Sequence, residues 1–437
     1  MCSSAKTWGI DSTEHAMKRT KKKKEAPSPY KNCLDYLDAL GQVSFSQVPF
    51  CPIDSLILSI CCYTAFDGIL SGPDSDRALT FRQAVAQYTQ QPGWDHTGVL
   101  ISDHNPELLV QAANSPRFSR VRLGCYESIL DETSEIQFAA LTWFLPDGTL
   151  YVSFRGTDDT LVGWKECFRM AFTSPIPSQK LAEDYLARVT ARHPGKLRLG
   201  GHSKGGNLAI WAAVHAAPVV RRRILRVESH DGPGFPEDLT ETPAYRSLTG
   251  RIHVYVPQSS LVGALLHQDE ARQIIFSHGP GTLGQHDPFT WEVDGTQFRL
   301  LPARSSLGQR SSRAVHTWLA SMEPQELEDF VEVIFHLLGS GPARTVSDIP
   351  FALIDNAWSM TRSFKALDSS TRRKIRSYLR RMLAAVGAAN LPRLPGRIPK
   401  QGGLSAGYGH RFPMSHRPSQ GQRRLYRRPS LHSESLP

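Results

Sequence analysis

The string Leu197-Arg-Leu-Gly-Gly-His-Ser-Lys-Gly-Gly-Asn-Leu-Ala209 contains the residues most suited to chemistry. Within it, Gly201-x-Ser203-x-Gly205 lies between a short apolar strand and a helical pattern, the context a nucleophile elbow requires. The serine of an elbow occupies a turn so tight that its neighbours must be nearly free of side chain, hence Gly201 and Gly205, with Gly206 next. That turn lifts Oγ out of the sheet and sets it at a helix N-terminus, where free backbone N–H groups favour developing negative charge. A phosphate-binding glycine loop is the competing reading, but the GxxxxGK[ST] pattern it needs is missing.

A serine nucleophile needs a base, an acid that orients the base, and donors for an oxyanion. In elbow-bearing α/β enzymes the order along the chain is Ser, Asp/Glu, His. The histidines downstream of Ser203 are His215, His230, His253, His267, His278 and His286. His215 falls in the helix after the elbow and His253 inside a strand. His286, in Gly284-Gln-His-Asp-Pro288, follows the last expected strands, where a base can reach across the top of a sheet, and His278 is its main rival. Asp231 is the expected acid, at the carboxyl end of strand Ile224–Ser229 and pinned by Gly232-Pro233-Gly234. The competing role for Asp231 is an Asx-turn before Gly-Pro. Asp269 and Asp287 are the alternative acids, the second too constrained by adjacency to His286 to orient it. The oxyanion donors expected are the backbone N–H of Lys204 and the hydroxyl or N–H of Thr157. Strand Tyr151–Phe154 delivers Thr157 to the site through Arg155-Gly156.

These residues must be held by a sheet with helices on both faces. Strands at Phe138–Phe144 and Thr149–Phe154 flank the turn Pro146-Asp147-Gly148. A helix over Pro177–Arg192, a strand at Lys196–Gly200, a helix over Lys204–Ala217 and strands at Ile224–Ser229 and Ile252–Pro257 complete an alternation that implies a mostly parallel sheet. Upstream, Asp54-Ser55 is the expected N-cap of an apolar run Leu56–Phe66. Downstream, Pro324 is placed as the first residue of an amphipathic helix to Leu338, and another helix runs from Ser369 or Ser370 to about Val386. The resulting division is a basic disordered arm (1–30), an α/β domain with a helical N-terminal region (31–310), C-terminal helices packing on it (311–390) and a basic disordered tail (391–437).

The chain of 437 residues has a formal charge of +10, which invites a nucleic-acid reading until it is divided. Residues 1–30 contribute +4 and residues 391–437 contribute +8, leaving −2 for the body, so a basic nucleic-acid-binding core is disfavoured. The stretch 371–390 has six basic and no acidic residues, so the remaining body is mildly acidic. The seven cysteines form an odd set with no CxxC and no metal-ligand spacing, which argues for a reducing compartment and against a metal site. The N-terminus has no apolar signal core, and Leu56–Phe66 is too short to span a bilayer, so a soluble, cytoplasmic protein is expected.

Taken together, the sequence resembles the class 3 (fungal-type) lipases of the α/β-hydrolase superfamily, in which an FRG[ST] strand end carries the oxyanion residue and a GHS-type elbow the nucleophile. Phe154-Arg-Gly-Thr157 and Gly201-His-Ser203 are the matching residues here. The chain is more similar still to an uncharacterised bacterial lipase-like family of that branch. Gln137-Phe-Ala-Ala140, Phe154–Thr160, Gly163-Trp-Lys-Glu166, Gly201–Leu208, Asp231-Gly-Pro-Gly-Phe235 and Gln285-His-Asp-Pro288 carry the likeness, over roughly residues 40–390. It implies an α/β-hydrolase fold and hydrolysis of a carboxylic ester, including lipid esters, through an acyl-serine on Ser203. His286 and Asp231 would complete the triad, Thr157 and Lys204 the oxyanion hole, and no cofactor is implied. Two departures stand out. Class 3 lipases place the acid after the strand matching Ile252–Pro257, where this chain has Gln258-Ser259-Ser260, and Cys167 stands where the bacterial family tends to have an acidic residue. In lipases the Trp164–Phe168 region forms a lid, and here Leu161, Trp164 and Phe168 suit either a lid helix or core packing. The rival reading is a catalytically inactive fold of the same type acting as a binding or scaffold protein. Its basic tails would contact an anionic membrane or nucleic acid, with no specific nucleic-acid binding expected.

Overall fold

The computed structural model describes residues 31–95, 103–235, 237–266, 272–341, 345 and 353–390. The expected arm and tail, His267 and Asp269 lie outside the described residues.

Alternation of side chains along each strand sets the two faces of the sheet. The strands are β1 (Ala78–Thr80), β2 (Arg122–Asp131), β3 (Ile136–Phe144), β4 (Leu150–Phe154), β5 (Leu197–His202), β6 (Ile224–His230), β7 (Ile252–Pro257), β8 (Gln273–Ile275), β9 (Val293–Asp294), β10 (Gln297–Phe298) and β11 (Leu300–Leu301). Among the described residues, nine of them form one sheet in the order β1-β2-β3-β4-β5-β6-β7-β8-β11, and β9 pairs with β10. Strands β4 to β8 run parallel, while β1 to β4 are joined by antiparallel pairs and β11 closes the far edge antiparallel to β8. The result is a mixed α/β fold with a parallel centre. The Pro146-Asp147-Gly148 turn does join the antiparallel pair β3 and β4.

In β4, Leu150, Val152 and Phe154 enter one core with the apolar sides of α6 (Pro177–Arg192) and α7 (Lys204–His215), and Tyr151 enters the other. That second core is built by α1 (Cys33–Leu40), α2 (Pro52–Cys61), α3 (Phe81–Tyr88) and α4 (Asn105–Asn114). Helix α2 is buried along its whole length, so its serines need partners. Ser55 and Ser59 Oγ each lie 2.8 Å from the Tyr151 hydroxyl, and Ser55 Oγ is also 2.9 Å from His230 Nε2. The start of α2 differs from the sequence expectation. The cap is Cys51 rather than Asp54-Ser55, because Pro52 tolerates the first helical position and Asp54 reaches back to accept the Cys51 N–H at 2.9 Å. Asp54 also takes two charge-assisted bonds from the buried Arg117, at 2.7 and 2.6 Å. This pair fastens the α2 cap to the turn after α4.

After β11 the chain is helical, over Ser306–Leu319, Pro324–Leu338, Leu353–Ala366 and Ser369–Asn390. Pro324 is the first residue of its helix, as the sequence predicts. Leu327, Phe330 and Val331 of that helix pack with Met322 and Tyr378 in a third, smaller core. Among the described residues no helix is long and apolar enough to cross a membrane.

Candidate functional site

Parallel strands β4, β5 and β6 end side by side, with Phe154 opposite Gly201 and His202 opposite His230. The elbow forms where β5 turns into α7. Ser203 adopts φ 59°, ψ −134°, a left-handed backbone that a non-glycine residue takes only when its surroundings enforce it. The enforcement is steric. A Cβ on Gly205 would overlap the Phe154 carbonyl oxygen, and one on Gly201 would lie 2.7 Å from that same oxygen. Ser203 N–H donates to the His230 carbonyl at 2.9 Å, and its hydroxyl is not spent on capping α7.

The structure brings His286 and Asp231 together. His286 Nδ1 lies 2.6 Å from Asp231 Oδ2, and both residues are buried. Asp231, at φ 54°, makes no Asx-turn, because the residue two on is Pro233, which has no N–H to donate to the carboxylate. Its Oδ2 also accepts the Ser260 hydroxyl at 2.5 Å, and its Oδ1 accepts the Gly263 N–H at 3.1 Å. A Cβ on Gly263 would overlap Oδ1, which explains glycine there. The Gln258-Ser259-Ser260 segment therefore supplies a donor to the carboxylate instead of a carboxylate of its own. The alternatives fall elsewhere. His278 sits 3.0 Å from Glu292, and Asp287 accepts the Phe289 N–H at 3.0 Å, its carboxyl pushed up to about 6 by burial.

His202, the variable residue between Gly201 and Ser203, holds the His286 ring in place. Its ring stacks on that of His286, with centroids 4.6 Å apart. Nε2 lies 3.0 Å from the His286 carbonyl, which can only accept, so Nε2 carries the proton and Nδ1 accepts from the Tyr63 hydroxyl at 3.1 Å. Burial holds the His202 pKa well below the usual histidine range, and this neutral tautomer is the form the two bonds require.

Ser203, His286 and Thr157 share the wall of one cavity of about 370 Å³. Thr157 Oγ1 is buried there with no nitrogen or oxygen partner among the described residues. A Cβ on Gly156 would lie 2.6 Å from the His202 carbonyl, so glycine is what lets this strand end approach the elbow. The Lys204 side chain turns away from the cavity. Its Nζ is fully buried and donates to Glu166 Oε2 and Gln137 Oε1, both at 2.8 Å, and to the Gln137 carbonyl. Glu166 in turn accepts the Ser178 N–H at 2.9 Å and the Ser178 hydroxyl at 2.5 Å. Helix α5 (Leu161–Arg169) thereby anchors the first residue of α7, and it presents Trp164 and Phe168 to the cavity. The rest of the wall is mainly apolar, including Leu261, Leu265, Trp318 and Met382. Among the described residues no group of three or more His, Cys, Asp or Glu could hold a metal ion.

Fold and site together define an α/β protein whose parallel strands end in a Gly-x-Ser-x-Gly turn beside a paired histidine and aspartate. The family model described as Mbeg1-like matches residues 112–336, and the chain belongs to that lipase-like family. No curated protein matches the chain.

Proposed function

We propose that this chain is an α/β-hydrolase that cleaves carboxylic esters through an acyl-serine on Ser203. The observation that carries the reading is the 2.6 Å His286–Asp231 contact, with His286 on the same cavity wall as a strained, uncapped Ser203. Asp231 accepts Nδ1–H and so leaves Nε2 of His286 able to accept a proton. Ser203 Oγ attacks the ester carbonyl as His286 takes its proton. The Lys204 N–H at the start of α7 and the Thr157 hydroxyl donate to the oxyanion, and His286 returns the proton to the departing alcohol. Water attacks the acyl-serine by the same sequence, which frees the acid and restores Ser203.

The apolar cavity favours an acyl chain over a charged or sugar group. Hydrolysis of p-nitrophenyl acetate, butyrate and decanoate tests this. The longer esters are expected to give the higher kcat/KM, and Ser203→Ala to reduce all three to background. A folded wild-type chain that cleaves none of them would leave the fold as a binding scaffold.

A further inference from the structure

The Ser369–Asn390 helix sorts its charges by face. On the packed side, Lys374 pairs with Asp329 at 2.9 Å and Arg381 with Glu326 at 2.8 Å, both carboxylates belonging to the Pro324–Leu338 helix. Ile375, Tyr378, Ala385 and Ala389 are buried on that same side. On the outer side Arg373, Arg376 and Arg380 are exposed, and the ion pairs among the described residues include none of the three. Leu379, Leu383 and Val386 follow at helical spacing between and beyond them, 39%, 67% and 45% exposed. Leucines set in water among unpaired arginines are the pattern of a helix that lies in a membrane interface.

The stripe is continuous with the candidate site. Val386 also lines the cavity that holds Ser203 and His286, and so do Phe168 and Leu283, which are 44% and 62% exposed. Residues that both line a cavity and face solvent mark its mouth, and this mouth merges with the leucine stripe. The helix lies outside residues 112–336, which the family model matches.

We propose that the outer face of the Ser369–Asn390 helix docks on a bilayer containing anionic lipid and turns the cavity mouth toward it. The arginines complement the headgroup charge, and Leu379, Leu383 and Val386 enter the acyl boundary. A polyanion such as duplex DNA would match the arginines but offers nothing to the leucines. Entry of an ester directly from the lipid phase follows from this docking and rests on the hydrolase reading, whereas the docking itself does not.

The test is co-sedimentation of the full-length Ser203→Ala chain with vesicles of phosphatidylcholine alone or mixed with phosphatidylserine. The mixed vesicles are expected to retain it and the neutral ones to retain little. Adding Arg376→Gln and Arg380→Gln is expected to lower the partition coefficient about 25-fold, since each basic residue near an anionic surface contributes about 1 kcal/mol, or about 5-fold. Leu383→Ser is expected to lower it roughly tenfold. All three positions are exposed, so melting temperatures should not move. Equal retention of the Ser203→Ala chain with and without the two arginine changes would overturn the proposal. So would no retention on mixed vesicles, or tighter binding to duplex DNA that depends on the arginines but not on Leu383. With Ser203 intact, the arginine variant should cleave a soluble ester at the wild-type rate. If neither chain cleaves it, the hydrolase reading fails while the docking result stands.

Discussion

Replacing Asp231 by asparagine removes one charge and almost no volume, and the surrounding donors dictate how the amide must sit. The left-handed backbone at φ 54° suits asparagine as well as aspartate. Gly263 N–H, 3.1 Å from Oδ1, requires an acceptor at that position, so the amide oxygen goes there and the NH2 takes the place of Oδ2. Ser260 Oγ can adapt by accepting, but His286 Nδ1 then faces a donor and must give up its proton. The proton moves to Nε2, and the imidazole can no longer take one from Ser203. Turning the amide over to rescue the tautomer would point its NH2 at the Gly263 N–H, leaving buried donors unmet at about 1–3 kcal/mol each. Loss of the negative charge opposite the developing imidazolium adds to this. Together these imply a fall in kcat near the roughly 10⁴-fold seen when a triad aspartate becomes asparagine, about 5 kcal/mol of transition-state stabilisation. The assay is kcat for p-nitrophenyl butyrate hydrolysis by Asp231→Asn, with far-UV circular dichroism to show that the fold is kept. A folded variant within tenfold of wild type would refute the assignment, as would a larger loss in Asp287→Asn.

Two further outcomes follow from buried groups. Lys204→Met leaves Glu166 buried without its cation and is expected to lower stability by about 3–5 kcal/mol in urea unfolding. Adding Glu166→Gln to it should cost less than the sum of the two single changes, and strict additivity would show that the pair does not brace the elbow. His230 is buried with its pKa held down at about 3 by burial, and the nearby Arg226 cation adds to the effect. A histidine depressed below its unfolded value of about 6.5 contributes stability that is present above that pH and lost as pH falls toward 3. Between pH 7 and pH 5 the wild type should therefore lose about 2 kcal/mol more than a His230→Asn variant. Parallel pH–stability curves for the two chains would contradict the burial argument.

The Gly-x-Ser-x-Gly turn is legible in the sequence because sterics leave so few ways to build it. Gly201, Gly205 and Gly206 flank one serine, with apolar strand before and helix after, and each glycine has a backbone or side-chain reason in the structure. Asp231 and His286 were legible from chain order and strand ends, and they do meet. The residues that orient them were not. Ser260 and Gly263 serve Asp231 from the loop after the neighbouring strand β7, and Tyr63 reaches His202 from the turn after α2, contacts with no periodicity and no local spacing to betray them. His202 was in plain view inside the elbow, yet its role depends on where the His286 carbonyl falls. The α2 cap differs from the expected Asp54-Ser55 because a proline at the first helical position and an acid at the third outweigh the Asp-Ser pair that local sequence favours. Lys204 was expected for its backbone alone, and the burial of its charge on Glu166 is a tertiary fact.

The central claim is that Ser203 is a nucleophile activated by His286, and a fluorophosphonate probe tests it most directly. The folded wild-type chain should take one label, located on Ser203 by peptide mass analysis. Ser203→Ala should take none, and His286→Ala should label far more slowly. A wild-type chain that stays unlabelled while folded, or that labels at another residue, would contradict the account.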